Sequence, residues 1–255
     1  GVKITKESGK YFVEGNGLRS LVPPVQDVYC GNSGTLVRLI AGLIAGSAIE
    51  ACLTGDASLQ SRPMQRIIDP LGEFGIEIES RDKGLLPLLV KGSSDAVGID
   101  YKMKIASAQV KSAILLAALN ANGKTIIHEK SLTRDHTELM MQYLGYDIKL
   151  DNSNSARKIT FTPGESVQAK DITVPSDPSS AAFFIVAALL VPDSHLLIEN
   201  VGINYTRIGL FEVLTEMGAK IKYLNEREVS GEMVADLEVQ YSNLHAVEVK
   251  PEIAP

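Results

Sequence analysis

Three short polar turns in this sequence open directly into apolar segments, and their residue types favour anion binding. The serines at positions 33, 107 and 180 lie 74 and 73 residues apart, which is too regular for unrelated turns. A helix N-terminus presents unpaired N–H groups and the positive end of the helix dipole, so it attracts anions. The chain is therefore predicted to hold an anionic, phosphorylated small molecule. The three turns are GNSGT at Gly31–Thr35, SAQVKS at Ser107–Ser112 and SDPSSA at Ser176–Ala181.

The elements that position these turns also repeat. Each turn leads into an apolar helix, then a β-rich segment, a second amphipathic helix and a capping glycine. The capping glycines Gly75, Gly145 and Gly218 lie 70 and 73 residues apart. A mixed unit of about 72 residues is too long for the common solenoid repeats and indicates an α/β module repeated around a pseudo-symmetry axis. The predicted apolar helices are Leu36–Ala45, Val110–Leu119 and Ala181–Leu190.

The composition is that of a globular domain protein. With 45% hydrophobic and 22% charged residues, 255 residues can bury a sizeable core. The net charge of −6 and the lack of a basic stripe argue against a nucleic-acid partner, and no apolar run is long enough for a membrane span. Cys30 and Cys52 lack metal-ligand spacing and the four histidines are scattered, so we expect no zinc site and a cytoplasmic location.

Five blocks, taken in order, resemble the EPSP synthase (3-phosphoshikimate 1-carboxyvinyltransferase) family over essentially the whole chain. The resemblance implies a mixed α/β (α+β) fold of the enolpyruvyl-transferase type, an inverse α/β barrel-like architecture. Two lobes are built of repeated βαβαββ modules, with residues 1–170 forming most of the first lobe and 171–255 the first module of the second. The blocks are GNSGTLVRLIAGLIAG, TGDASLQSRPMQRIIDPL, ASAQVKSAILLAAL, SLTRDHTELM and VPSDPSSAAFFIVAALLVP.

The resemblance also implies a reaction. The enolpyruvyl group of phosphoenolpyruvate passes to the 5-hydroxyl of shikimate 3-phosphate by addition and elimination, releasing phosphate, without a metal or organic cofactor. Both substrates are polyanions, so the site must supply cations, helix ends and hydroxyl donors. We expect these two small molecules as partners, no nucleic acid or membrane, and a monomer.

The first turn and a nearby arginine are the predicted phosphoenolpyruvate site. By resemblance, the backbone N–H groups of Gly34 and Thr35 and the side chains of Asn32 and Thr35 contact this ligand, with Arg62 as its clamp. Two structural alternatives remain open. The turn could serve only as a helix cap, and Arg62 could instead pair on the surface with Asp56 or Asp69.

The second turn and a later loop are the predicted shikimate 3-phosphate site. By resemblance, Ser107 and the backbone N–H of Ala108 bind the 3-phosphate, and Gln109 reaches the shikimate ring. Thr133 and Arg134, in the loop before the segment DHTELMM, are predicted phosphate ligands through a hydroxyl and a guanidinium group.

Other polar residues near the turns are expected to have structural roles. Arg38 is predicted to be an ion-pair partner, Arg66 to be solvated, and Lys111 to be a solvated flank of the second turn. Asp177 and Ser179 are read as capping residues with contacts between the lobes.

The helix after Arg134 starts with a capping pattern and a histidine. Asp135 and Glu138 match a D-x-x-E capping box. His136 could be a general base, although its position at the helix start favours a structural role.

The resemblance further predicts a central fragment of the family's chain that lacks the acid and base groups. No catalytic residue is therefore assigned, and the fragment is expected to be inactive while still able to bind substrate. Two other functions stay open: a non-catalytic anion-binding or interaction domain, and a UDP-N-acetylglucosamine enolpyruvyl transferase relative, although neither Cys30 nor Cys52 suits the mobile-loop cysteine expected there.

Overall fold

The chain folds into two compact units of mixed α/β structure. The structure is a computed structural model that describes residues 2–153, 156–164, 167 and 169–249. The first unit comprises Gly1–Leu132 and Tyr146–Ser166, and the second comprises Thr133–Gly145 and Val167–Pro255. The predicted division into two lobes at residue 170 stays a prediction. The last residues of the predicted second lobe, 250–255, lie outside the described part of the chain.

Strands and helices alternate along the first unit, as the sequence repeat predicts. An N-terminal hairpin, β1 and β2, stands apart from two four-stranded sheets. A short 3-10 helix, Asp82–Gly84, precedes β6. In chain order the elements are β1 (Lys3–Glu7), β2 (Lys10–Glu14), β3 (Val28–Tyr29), α1 (Gly34–Ala45), β4 (Glu50–Thr54), α2 (Ala57–Gln60), α3 (Gln65–Glu73), β5 (Glu77–Arg81), β6 (Leu85–Lys91), β7 (Asp100–Lys102), α4 (Ala108–Ala118), β8 (Thr125–Glu129), β9 (Asp147–Ser153) and β10 (Ala156–Thr162).

The two four-stranded sheets have the same topology. Their strand orders are β3-β4-β6-β5 and β7-β8-β10-β9. In each sheet the first two strands of this order are parallel. The last two strands form an antiparallel hairpin, and the third strand of the order also pairs antiparallel with the second. A parallel pair needs a crossover, which α1 and α4 supply.

The second unit repeats the same pattern. Its elements are α5 (His136–Tyr143), α6 (Pro178–Leu190), β11 (His195–Gly202), α7 (Gly209–Glu216), β12 (Lys220–Val229) and β13 (Glu232–Gln240). The sheet order β11-β13-β12 matches the last three strands of each earlier sheet, and an isolated parallel bridge from Ser176 to Val201 replaces the missing first strand. In the chain order β, α, β, α, β, β, the predicted module is confirmed. In the second module, α5 lies in the other unit from the strands on either side of it.

Each unit has an apolar core between helices and sheets. In the first, Leu53, Leu88 and Val90 on one sheet and Ile127 and Ile159 on the other are fully buried. The core of the second is formed by residues of α6, α7 and the sheet: Ala181, Ile185, Ala188, Leu189, Val201, Phe211, Leu214, Ala235, Leu237 and Val239. The longest helix in the described part of the chain, α6, has 13 residues, and none there is long and apolar enough to cross a membrane.

Candidate functional site

The first predicted turn starts α1. Ser33 is the N-cap residue, and its hydroxyl accepts a hydrogen bond from the N–H of Leu36 at 3.0 Å. Gly34 follows in a narrow space, because a Cβ there would lie 3.3 Å from an Nη1 atom of both Arg38 and Arg62. Two guanidinium groups therefore converge on the first residue of the helix, where the positive end of the helix dipole already favours an anion.

Arg62 is held at this helix start through an amide. Its Nη2 donates to Oδ1 of Asn32 at 2.6 Å and to the hydroxyl of Ser58 at 3.3 Å. The Asn32 amide in turn donates to Oδ2 of Asp56 at 2.8 Å. Hydrogen bonds from the backbone N–H of Leu59 and from Asn32 lower the pKa of Asp56, so its carboxylate stays ionised and continues to hold Asn32.

The predicted alternative partners of Arg62 do not pair with it. Among the described residues, Arg62 forms no ion pair with Asp56, and Asp69 bonds to Gln65 and Lys104 instead. Nε and Nη1 of Arg62 have no hydrogen-bond partner within the described part of the chain, and the side chain is partly exposed. This guanidinium is thus oriented and still has donors for a ligand.

Close packing of two helices brings the first and second turns together. A Cβ at Gly42 would overlap the carbonyl oxygen of Ala113, and one at Gly46 would overlap that of Ala117, so α1 and α4 touch backbone to backbone. Four residues separate the members of each pair, as expected for one face of each helix. The two N-termini consequently meet, and the Gln109 amide donates to the Thr35 hydroxyl at 2.7 Å.

Arg38 lies beside this contact, and the expectation that it is an ion-pair partner is wrong. The residue is only 8% exposed, and its Nη1 donates to Oε1 of Gln109. Its Nε has no hydrogen-bond partner, and it forms no ion pair with any described carboxylate. Burial, and then the charges of Arg66 and Arg62, lower the pKa of Arg38.

The second turn starts α4, and a buried ion pair holds this helix start to the sheet. Ser107 is the N-cap residue, and its hydroxyl lies 3.5 Å from the N–H of Val110. The prediction that Lys111 is a solvated flank is wrong: it is fully buried, and its Nζ lies 3.1 and 3.3 Å from the carboxylate oxygens of Glu129 at the end of β8. The ion pair ties the first turn of α4 to its sheet.

The loop and helix that follow belong to the second unit. Thr133 and Arg134 precede α5, and Arg134 is exposed. The predicted capping box is not formed, because Asp135 makes no side-chain capping bond and instead accepts from Asn204 at 2.7 Å, while Glu138 is fully buried. Both carboxyl groups are thus buried within the second unit instead of capping the helix start.

His136 is bound within the second unit. Its Nδ1 lies 2.5 Å from Oε1 of Glu232, the first residue of β13. The contact joins α5 to the sheet and agrees with the structural alternative for this histidine.

The third turn is a capped helix start, as predicted. Asp177 accepts from the backbone N–H groups of Ser179 at 3.3 Å and Ser180 at 3.0 Å. Arg207 donates to both Asp177 and Ser179 at 2.7 Å. Burial raises the pKa of Asp177, but hydrogen bonds from Ser180 and Ser179 outweigh it and lower the value overall. Unlike Arg62, the arginine beside this turn is occupied by a carboxylate.

Of the nine predicted ligand residues, the structure brings together those on α1, α4 and the Arg62 loop within the first unit. Sequence reasoning missed Arg38 and Glu129 as neighbours of these residues. A signal for Arg38 was present, because it follows Gly34 by four residues and so lies on the same helix face.

This fold and site define a protein with a repeated α/β module in which two helix N-termini meet beside two arginines. A family model described as EPSP synthase (3-phosphoshikimate 1-carboxyvinyltransferase) matches residues 1–255. The chain belongs to this family.

Curated relatives and solved structures agree with the family. The 3-phosphoshikimate 1-carboxyvinyltransferases of Gluconobacter oxydans and Syntrophomonas wolfei are 48% and 46% identical to the chain over its full length. The chain spans only 58% and 59% of their respective lengths. An EPSP synthase from Acinetobacter baumannii superposes with a TM-score of 0.87 at 40% identity, covering 99% of this chain and 57% of that one.

Proposed function

We propose that this chain supplies the anion-binding turns of an enzyme that transfers the enolpyruvyl group of phosphoenolpyruvate to the 5-hydroxyl of shikimate 3-phosphate. The observation that carries the proposal is the contact between the two helix starts, in which Gln109 bonds to Thr35 at 2.7 Å. A two-substrate transfer needs its ligands side by side, and two adjoining anion sites provide that.

The phosphoenolpyruvate ligands are Asn32, Gly34, Thr35 and Arg62. Arg62 offers Nε and Nη1, which are free of described partners, and the start of α1 offers backbone N–H groups. Guanidinium and backbone N–H groups are the strong donors for phosphate and carboxylate oxygens. Asn32 accepts from Arg62 and donates to Asp56, so Asp56 orients Arg62 through Asn32.

The shikimate 3-phosphate ligands are Ser107, Ala108, Gln109, Thr133 and Arg134. The first three form the start of α4, whose N–H groups suit a phosphate. Arg134, in the loop before α5, is exposed, and the family resemblance supports its guanidinium as a phosphate ligand. Arginine is suited to bidentate phosphate recognition.

The chemistry has two steps, and this chain contributes binding to both. The 5-hydroxyl oxygen bonds to C2 of phosphoenolpyruvate while C3 gains a proton, and the hydroxyl proton is lost. Phosphate then leaves C2 as C3 gives up a proton, restoring the double bond. The charge on the departing phosphate is stabilised where cations and helix dipoles are already oriented towards it.

The proposal extends to the whole protein. We infer that the enzyme works in the cytoplasm as a monomer, in the shikimate pathway of aromatic amino acid biosynthesis. Names of relatives that share 46–48% identity support the reaction.

Replacement of Arg62 tests the proposal. Arg62→Gln should weaken phosphoenolpyruvate binding by about 10- to 100-fold, because a charge-assisted hydrogen bond contributes ~1.5–3 kcal/mol. Binding is measured by NMR titration of the 255-residue chain in the presence of shikimate 3-phosphate.

Arg66→Gln is the matched control, since Arg66 is exposed and one helical turn further on. It should change the affinity by less than about threefold, as expected for a screened surface charge. Equal losses in the two variants would contradict the clamp. An interaction domain with no ligand would show no titration at all, which would count against the proposal itself.

A further inference from the structure

The side-chain amide of Gln109 is held at both ends. Its Oε1 accepts from Nη1 of Arg38, and its Nε2 donates to Oγ1 of Thr35 at 2.7 Å. Arg38 and Thr35 both lie on α1, one helical turn apart, and Gln109 is the second residue of α4. The amide is thus the bridge between the two predicted ligand turns.

The chemistry of arginine fixes which way this amide faces. An amide can be turned over with almost no change in shape, so its orientation follows from its partners. Arginine has only donors, so the atom that faces Arg38 must be the oxygen. Nε2 therefore faces Thr35, whose oxygen accepts, and the Thr35 hydroxyl hydrogen is left to donate elsewhere.

Arg38 is suited to this role because it is buried without a counter-charge. It is 8% exposed, its Nε has no hydrogen-bond partner, and no described carboxylate pairs with it. Its Nη1 and that of Arg62 both lie 3.3 Å from the Cβ position at Gly34. A buried cation beside another cation is unfavourable unless a further group compensates it. The start of α1 is therefore the place where a bound anion would restore the charge balance.

We propose that Arg38 is a positioning residue: it locks the Gln109 amide so that the Thr35 hydroxyl and the second Nε2 hydrogen of Gln109 donate to a bound anion. The inference rests on the proposed function and deepens it. The site selects a ligand group that only accepts hydrogen bonds, such as an ionised carboxylate or phosphate, over a hydroxyl or protonated acid that must also donate.

The first test reads the geometry of the free chain. Side-chain NH2 signals of Gln109 should show a nuclear Overhauser effect to the methyl group of Thr35. The effect should fall to less than about half in Arg38→Met, because the amide can then turn over. Arg38→Gln, whose side chain both donates and accepts, should behave in the same way and serves if the Met variant does not fold.

Arg66→Met is the control for loss of a neighbouring positive charge, and it should leave the effect unchanged. Persistence of the wild-type effect in the folded Arg38 variants would overturn the inference.

The second test measures whether the effect of Thr35 on phosphoenolpyruvate affinity depends on Arg38. Thr35→Val should weaken phosphoenolpyruvate binding about tenfold in the wild-type background, as expected for one hydrogen bond to a charged group. In the Arg38→Met background the same change should cost about twofold or less, because the hydroxyl is no longer committed as a donor. Equal losses in both backgrounds would overturn the inference.

The two tests separate this inference from the proposed function. Failure of the wild-type chain to bind phosphoenolpyruvate would contradict the proposed function, while the nuclear Overhauser measurement would still decide the role of Arg38.

Discussion

Two basic side chains near the helix starts, Arg62 and Lys111, are held in opposite ways. Arg62 is partly exposed and uses one nitrogen for Asn32 and Ser58. Lys111 is fully buried against a carboxylate that is 1% exposed. A buried ion pair has lost its hydration and is stabilised mainly by its partner. Arg62 is therefore suited to ligand binding, and Lys111 holds α4 in place.

Removal of one member of the buried pair should be costly. Lys111→Met should lower the free energy of unfolding by about 3–5 kcal/mol, because Glu129 would remain buried without its cation. The double variant Lys111→Met/Glu129→Leu should recover part of the loss, since no charge is then left in the core. Chemical denaturation measures both.

Lys91→Met is the control. Lys91 pairs with Glu77 and Glu79 on the surface, where ion pairs contribute little. A Lys91→Met loss as large as that of Lys111→Met would contradict the special role of burial.

The helix starts that the sequence predicts at the three polar turns have local causes. Ser33, Ser107 and Asp177 each cap the helix that begins one residue later, and capping depends on neighbours in the chain. Arg38, Lys111 and Asp135 were misassigned because their environment is set by distant residues. Asn204, for instance, is 69 residues from Asp135, and no local pattern encodes that contact.

At the scale of elements, Gly42 in α1 and Gly46, the C-cap residue of α1, allow the helix starts to meet. Gly42 and Gly46 present backbone to Ala113 and Ala117 on α4. Small residues at both contact points reduce the distance between helices, and the two N-termini are brought together as a result. The module order was predictable from the repeat, but this contact was not, because it joins two modules.

Gly42→Ala should separate the helices. A methyl group there would lie 2.8 Å from Cα of Ala113, so the backbone must shift, and overpacking of this kind costs about 1–3 kcal/mol. Both the free energy of unfolding and the affinity for phosphoenolpyruvate should fall, measured by denaturation and by titration.

Gly72→Ala is the matched control. Gly72 lies in α3, where an added Cβ meets nothing within 4 Å. Alanine should stabilise this helix by ~0.5–1 kcal/mol, with unchanged affinity. A Gly42→Ala chain as stable as the wild type would contradict the close-packing argument.

At the scale of the whole molecule, the chain spans 58% of the Gluconobacter oxydans relative. The family resemblance implies that the acid and base groups lie in the part of the relatives that this chain does not match. We propose on that ground that a polypeptide of these 255 residues binds ligands without turning them over. General acid–base catalysis contributes ~10²–10⁴-fold, and positioning contributes more.

A phosphate-release assay checks this expectation. The chain should release phosphate from phosphoenolpyruvate and shikimate 3-phosphate no faster than a protein-free blank, with a full-length EPSP synthase as the positive control. Turnover comparable with the control would show that the residues described above suffice for catalysis.

The placement of α5 also affects how the protein is made. Its His136 contacts Glu232, which lies 96 residues later in the chain. Ribosomes add about 5–20 residues per second, so α5 leaves the ribosome ~5–20 s before β13, the strand on which it packs. During that interval the face of α5 that carries Glu138 and Met141 has no native partner on β13, so this contact forms only after most of the second unit has been synthesised.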